Sequence, residues 1–277
     1  MKAAREPENC RKDIVSGSRY QEQIAKNFNG HQHPITLFFS ADGVPLCRSN
    51  TKSAWIFSAY TIEIPPQYRY SFRNMCLFQY SIGPIKPYLS VTLARTLKQL
   101  VQLKEHDLEL YFQNRSISFH VDYLFFVADF PALYLFLNFI SSTGYNSCFT
   151  CLAPGDYDRQ LGKVVYQKVG YQLRTNRMYY DDLKIARQKK AISQAMKKIP
   201  TCPGIKGESV LDSIFPDKLI TSVNYDYMHS TIKCVSELRM DWTESIVQSS
   251  PAHVDWTGFF GFHGLGLVWT QTLKTMD

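Results

Sequence analysis

The 277-residue sequence predicts an α/β fold built around a mixed sheet. Two observations carry this expectation. Three segments rich in β-branched and aromatic residues follow one another between residues 34 and 83, each bounded by turn-forming residues. The apolar period then changes to helical spacing, and another long apolar strand comes after it.

Residues 1–33 are polar, lack apolar periodicity and read as an N-terminal tail. "PITLFFSADGVPLC" reads as a strand, a turn at Asp42-Gly43 and the start of a second strand, because Asp favours turns over strands. "SAWIFSAYTIEIPP" alternates and is a strand ended by Pro65-Pro66. "NMCLFQYSIG" is a third, closed by Gly83-Pro84. In "LSVTLARTLKQLVQLKEHDLEL", Leu93, Leu97, Leu100 and Leu103 recur at helical spacing, which predicts one amphipathic helix over 89–110. "RSISFHVDYLFFVAD" ends in an almost continuous apolar run, as a strand buried on both faces does. It stops at Asp129-Phe130-Pro131, and "ALYLFLNFISS" is helical in pattern. "DDLKIARQKKAISQAMKK" is a later, basic helix. The order is three strands, helix, strand, helix: an antiparallel meander extended by a strand reached through a crossover helix.

The bulk properties narrow the class. At 45% hydrophobic and 14% aromatic the chain can bury a substantial core, which excludes a disordered composition. The run Tyr123–Ile140 approaches the length of a membrane span, but Asp129 and Pro131 sit near its middle, so no span is expected. The net charge is +7, and a surplus of nine lies between Arg159 and Lys198, where eleven Lys/Arg meet two Asp. Such a block suits nucleic-acid phosphates, and it equally suits a solvated helical face. Seven cysteines without an N-terminal apolar segment argue against secretion and a disulfide framework.

Two constellations carry chemistry. Asp42 lies in the first strand and Asp129 at the end of the fourth. If those strands are neighbours, two carboxylates face one point at the sheet edge. Close carboxylates repel unless a proton or cation lies between them, and Mg²⁺ takes oxygen ligands while leaving positions for phosphates. A turn Asp and a helix-capping Asp explain the pair about as well. Asp122 lies an odd number of residues before Asp129 and is expected on the opposite face. The second constellation is Cys148-x2-Cys151, whose spacing in a chain read as intracellular favours zinc over a disulfide, with His229 as the best third ligand and Cys202 or Cys234 as candidates for the fourth. A thioredoxin-type pair fits less well, since no strand leads directly into Cys148. His31 and His33 read as part of a polar segment. The glycines of "GFHGLG" (261–266) lack the strand–turn–helix setting of a phosphate loop.

Taken together, the segments "SADGVPLCRSNTKSAWIF", "IEIPPQYRYSFRNMCLFQYSIGPIKPYL", "VADFPA", "YNSCFTCLAPGDY", "GIKGESVL" and "NYDYMH" resemble, in order, the transposases of CACTA (En/Spm)-type DNA transposons. The resemblance spans roughly residues 34–232, and the spacing of six landmarks is more specific than any one of them. It implies an RNase H-like mixed sheet with a zinc-binding helical insertion, and a nuclear enzyme of metal-dependent DNA strand cleavage and transfer. The implied boundaries are a tail (1–33), a partial catalytic core (34–145), a zinc-binding and basic insertion (146–233) and a divergent C-terminal tail (234–277). Asp42 and Asp129 would be the first two catalytic carboxylates, holding Mg²⁺ or Mn²⁺. Cys148, Cys151 and His229 would bind Zn²⁺. Lys189, Lys190 and Lys206 would meet DNA, the implied partner, alongside a further copy of the chain. The third acid of that family is a Glu well downstream of the "YMH" motif, where the likeness fades. Glu237, Asp241 and Glu244 share a helical face there but read as a solvated one. The expectation is therefore weak activity or none, or a zinc-stabilised DNA-binding module without catalysis.

Overall fold

A computed structural model describes residues 13–28, 33–46, 52–141, 143–166, 170–193 and 204–226. Its centre is a mixed sheet. Strands β1 (His33–Pro45), β2 (Ser53–Thr61) and β3 (Met75–Gly83) form an antiparallel meander. Strand β5 (Arg115–Ala128) lies beside β1 and parallel to it, giving the order β3-β2-β1-β5. The far side of β5 is shared. Its first half pairs antiparallel with β4 (Leu108–Phe112), and its end pairs parallel with β8 (Val223–Tyr225).

Both faces of the central strands are buried, which explains their near-continuous apolar sequence. On one face Leu37, Phe39 and Ala41 pack with Phe57, Phe126 and Ala128 under the helices α3 (Leu89–Thr92), α4 (Ala94–Glu105) and α5 (Phe130–Phe136). Phe39 and Phe126 are fully buried, each contributing roughly 1.5–3 kcal/mol relative to exposure. On the other face Phe38, Tyr60, Leu124 and Phe125 pack with Tyr20 from helix α1 (Ser18–Asn27).

Helix α1 corrects the reading of residues 1–33 as a tail. Its apolar stripe is only Tyr20 and Ile24, too sparse to stand out in a polar stretch. The segment is tied down by polar contacts instead. Asp13 accepts two bonds, at 2.6 and 2.7 Å, from the buried guanidinium of Arg69 in the short helix α2 (Pro66–Arg69), and the Tyr20 hydroxyl donates to Glu63 at 3.0 Å.

The reach of the predicted helix 89–110 also changes. Helix α3 stops at Leu93, α4 ends at Glu105, and residues 108–112 become β4. A two-residue connection, Gln113-Asn114, joins β4 to β5 with both φ angles positive (48° and 59°). That is the backbone a tight hairpin needs, and Asn tolerates it well.

Asp42-Gly43 is not a turn. Strand β1 runs on to Pro45, with Asp42 opposite Ile56 and Gly43 opposite Trp55. A Cβ on Gly43 would lie 2.9 Å from the Trp55 ring, so the glycine is there to seat an indole. The parity argument for Asp122 fails too. The register with β1 jumps from Tyr123 to Phe125, making Leu124 an extra residue, and after this bulge the inward positions change from odd to even numbers. By register Asp122 and Asp129 therefore fall on the same side of the strand path despite their odd separation, and their surroundings are what separate them.

The region predicted as a helical insertion, 146–233, is described as far as residue 226. It contains the β6 (Asp156–Asp158) and β7 (Lys163–Val165) hairpin, long connections, helix α6 (Asn176–Ser193) and the short α7 (Leu219–Ser222). No helix among the described residues is long and apolar enough to cross a membrane.

Candidate acidic edge and thiol pair

Parallel pairing of β1 and β5 ends at Ala41 opposite Ala128. Asp42 and Asp129 are the next residues on each segment, so their backbones follow side by side, about one strand spacing (about 4.8 Å) apart. The two strands reach this point for different reasons. Asp42 continues in β1 and is exposed. Asp129 caps α5: its Oδ1 accepts the Ala132 amide at 2.8 Å, and Pro131 occupies the first turn, where its missing N–H costs nothing. The capping explanation anticipated for Asp129 is thus realised, and Oδ2 is the oxygen left for another ligand.

A third carboxylate stands in the same row. Strand β8 places Tyr225 opposite Ala128, and the Asp226 amide donates to the Ala128 carbonyl at 2.9 Å. Asp42, Asp129 and Asp226 thus stand at one level across three consecutive parallel strands, Asp42 within β1 and the other two just past the ends of β5 and β8. Sequence reading passed over Asp226, yet it had a signal: "FSAD", "FVAD" and "VNYD" each put an Asp at the end of a short apolar or β-branched stretch. The row is not a finished metal centre. Among the described residues no three His, Cys, Asp or Glu side chains are grouped so as to hold an ion.

Asp122 has a structural task. Its side chain is 2% exposed and pairs with Lys104 Nζ at 2.7 Å. It also accepts the Tyr123 amide at 2.8 Å and an Asn27 amide hydrogen. Burial alone would push its carboxyl up, but the Lys104 ammonium and these donors outweigh it and hold the group below the usual carboxylate range.

Cys148 and Cys151 are free thiols with sulfurs 3.3 Å apart. The Cys151 amide points at Cys148 Sγ at 3.4 Å, and Thr150 Oγ1 lies 3.1 Å from the same sulfur. Burial disfavours the Cys148 thiolate, yet these hydrogen bonds prevail and lower its pKa; burial raises that of Cys151. Two sulfurs at about 2.3 Å from a tetrahedral zinc ion lie about 3.8 Å apart, so a small opening of the pair would admit the metal. The loop is braced by Arg174, whose amide donates to the Thr150 carbonyl at 2.8 Å. The Arg174 side chain is buried, bonded to Asp182 at 2.8 Å and stacked 5.5 Å from the Phe139 ring. His229, Cys202 and Cys234 lie outside the described residues, as do His31, Glu237, Asp241, Glu244 and the "GFHGLG" run.

Of the residues expected to meet DNA, Lys189 and Lys190 fall in α6, and their side chains lie outside what the structure describes. Lys206 is exposed on a loop, its amide bonded to the Asn138 carbonyl at 2.9 Å. The basic block is partly neutralised by the fold itself. Arg174 pairs with Asp182, Lys184 with Asp181 at 3.2 Å and Arg187 with Glu208 at 2.6 Å.

Neither a scan against protein-family models nor a search of curated proteins finds a match to this chain.

Proposed function

We propose that this is a transposase-like protein of DNA phosphodiester chemistry, with an RNase H-like sheet, in which Asp42 and Asp129 are the retained carboxylates of a Mg²⁺ or Mn²⁺ site. One observation supports this reading above the rest: the Ala41–Ala128 register sets the two Asp residues next to each other on neighbouring parallel strands. The strand order β3-β2-β1-β5 supports the reading, while the β4 hairpin between α4 and β5 departs from a simple helical crossover. A bound divalent ion would supply Lewis acidity toward a phosphodiester oxygen. Asp42 and Oδ2 of Asp129 would hold it, while Oδ1 of Asp129 keeps α5 in place. Asp226 occupies the next position in the row, but the three side chains do not form an ion-holding group. Nicking is therefore weak and strand transfer weaker still. The nucleus is the compartment this reading requires, with DNA as the partner.

A second reading has its own observation. The Cys151 amide directed at Cys148 Sγ suits a thiolate pair on zinc, and a zinc-stabilised DNA-binding or interaction module without catalysis would use it equally. A nicking assay on supercoiled DNA with Mn²⁺ separates the two. Loss of nicking in Asp42→Ala supports the acidic site, whereas unchanged nicking in Asp42→Ala and Asp129→Ser removes it. Zinc that co-purifies with a chain unable to nick supports the second reading.

A further inference from the structure

The 41 residues from Ile64 to Lys104 contain six Lys/Arg and no Asp or Glu. Two of the six are consumed by the fold: Arg69 on Asp13 and Lys104 on Asp122. Arg73, Lys86, Arg95 and Lys98 are exposed and form no ion pair among the described residues. The same stretch carries β3, which ends the sheet and has no strand on its outer side among the described residues. Strand edges are usually blunted by charge, proline or bulges. The sequence of β3, "MCLFQYSIG", has neither a charge nor a proline, and its one irregularity is an extra residue at Phe78 against β2.

Apolar side chains crowd this edge. Leu77, Tyr80 and Ile82 on β3 are 50–54% exposed, and Ile85, Tyr88 and Val91 just after it are 66–75% exposed. Ile82, Ile85, Tyr88 and Val91 line one open groove of about 340 Å³ with Lys86 among them. A contiguous apolar surface rimmed by cations marks a binding face. It lies on the sheet in line with the acidic edge, since Asp42, Ile56 and Tyr80 are register partners across β1, β2 and β3.

We propose that β3 is a docking edge for an extended, apolar peptide segment bearing acidic residues, which adds to the sheet as a further strand. The open main chain of β3 supplies hydrogen bonds, its exposed apolar residues cover alternate side chains of the segment, and Arg73 and Lys86 at its two ends meet the carboxylates. A second copy of the chain fits poorly. A two-fold antiparallel pairing of β3 about Gln79 sets Arg73 next to Lys86 of the other copy, cation against cation. A nucleic acid fits less well than a peptide, because the aliphatic Leu77, Ile82, Ile85 and Val91 outnumber Tyr80 and Tyr88, the two residues of this face that could stack on bases. This inference stands apart from the acidic site and survives if that site is inert.

The test is fluorescence anisotropy with the full chain and a labelled nonapeptide alternating valine and glutamate. Binding is expected, falling with salt, and falling roughly tenfold or more in Arg73→Glu/Lys86→Glu. The same double variant is expected to bind the peptide that carries lysine in place of glutamate, a gain that misfolding cannot produce. Absence of binding by the glutamate peptide overturns the proposal, and so does equal binding of both peptides by the unaltered chain. Displacement of the glutamate peptide by a thymidine dodecamer assigns the face to nucleic acid and overturns it. A dimer in sedimentation that dissociates in the double variant assigns the edge to self-association and overturns it as well.

Discussion

Asp42 and Asp129 are successive to a register pair: Ala41 and Ala128 are the last partners of two parallel strands, and the two carboxylates follow at once. Their equivalence stops at the backbone. Asp42 stays in its strand, and Asp129 turns into a helix that it caps.

This dual role of Asp129 separates activity from stability. Asp129→Ala loses the cap and destabilises the fold by about 1 kcal/mol. Asp129→Ser keeps a capping oxygen and remains close to the unaltered stability, yet loses the charge. If the acidic edge binds a divalent ion, both variants lose Mn²⁺-dependent nicking while only the first loses thermal stability. Parallel denaturation and nicking assays check this. Retained nicking in the Ser variant rules out a ligand role for Asp129.

Asp122→Asn costs about 2 kcal/mol, the scale of a hydrogen-bonded charge, because Lys104 keeps partial access to water. The pH dependence has a definite sign. The Asp122 pKa is lowered in the fold, so its contribution is present above the unfolded carboxylate value, about 3.9, and is lost as pH falls through the folded value. Urea unfolding followed downward from pH 5 should show a shallower loss of stability in the Asn variant. Identical slopes would mean that Lys104 does not hold the charge.

Gly43→Ala tests whether the residue after Asp42 is a turn or a seat for an indole. The added methyl meets the Trp55 ring at 2.9 Å and costs about 1–3 kcal/mol, with a changed tryptophan fluorescence. Pairing the change with Trp55→Leu should recover much of that difference. A turn glycine would show no such coupling.

The thiol pair makes a reactivity prediction. The hydrogen bonds from Thr150 and Cys151 lower the Cys148 thiol, and burial raises Cys151, so iodoacetamide near neutral pH alkylates Cys148 first. Peptide mapping reads the order directly. If Zn²⁺ binds the pair, it protects both cysteines together, and protection of neither removes the zinc reading.

Arg69 and Asp13 predict that the first described residues matter to the fold. Asp13→Ala leaves a guanidinium that is 1% exposed without its carboxylate and costs about 3–5 kcal/mol. Thermal unfolding of the full chain measures this loss, and a shift of under one degree would show that the pair is dispensable.

Much of the architecture was legible because periodicity is a local property. "SAWIFSAYT", "MCLFQYSIG" and "DYLFFVA" became strands where their alternation or apolar density placed them, and Asp129-Phe130-Pro131 ended a strand and began a helix. Helix α1 was not legible, since two apolar residues and a set of long-range polar contacts hold it. Strand β4 was hidden because Leu108 and Leu110 continue the helical leucine spacing of the segment before them. Only the Gln113-Asn114 hairpin pulls them into the sheet.

At the site, residue type and spacing were enough to mark Asp42, Asp129 and the two closely spaced cysteines as groups able to carry chemistry, though not Asp226. Both properties are written along the chain. Which of those groups meet is a matter of folding in three dimensions. Pairing of β1 with β5 is a contact between segments far apart in sequence, and its register rests on core packing and on the extra residue at Leu124. That register puts Asp42 beside Asp129, brings Asp226 into the same row through β8, and leaves the buried Asp122 to the partly exposed Lys104.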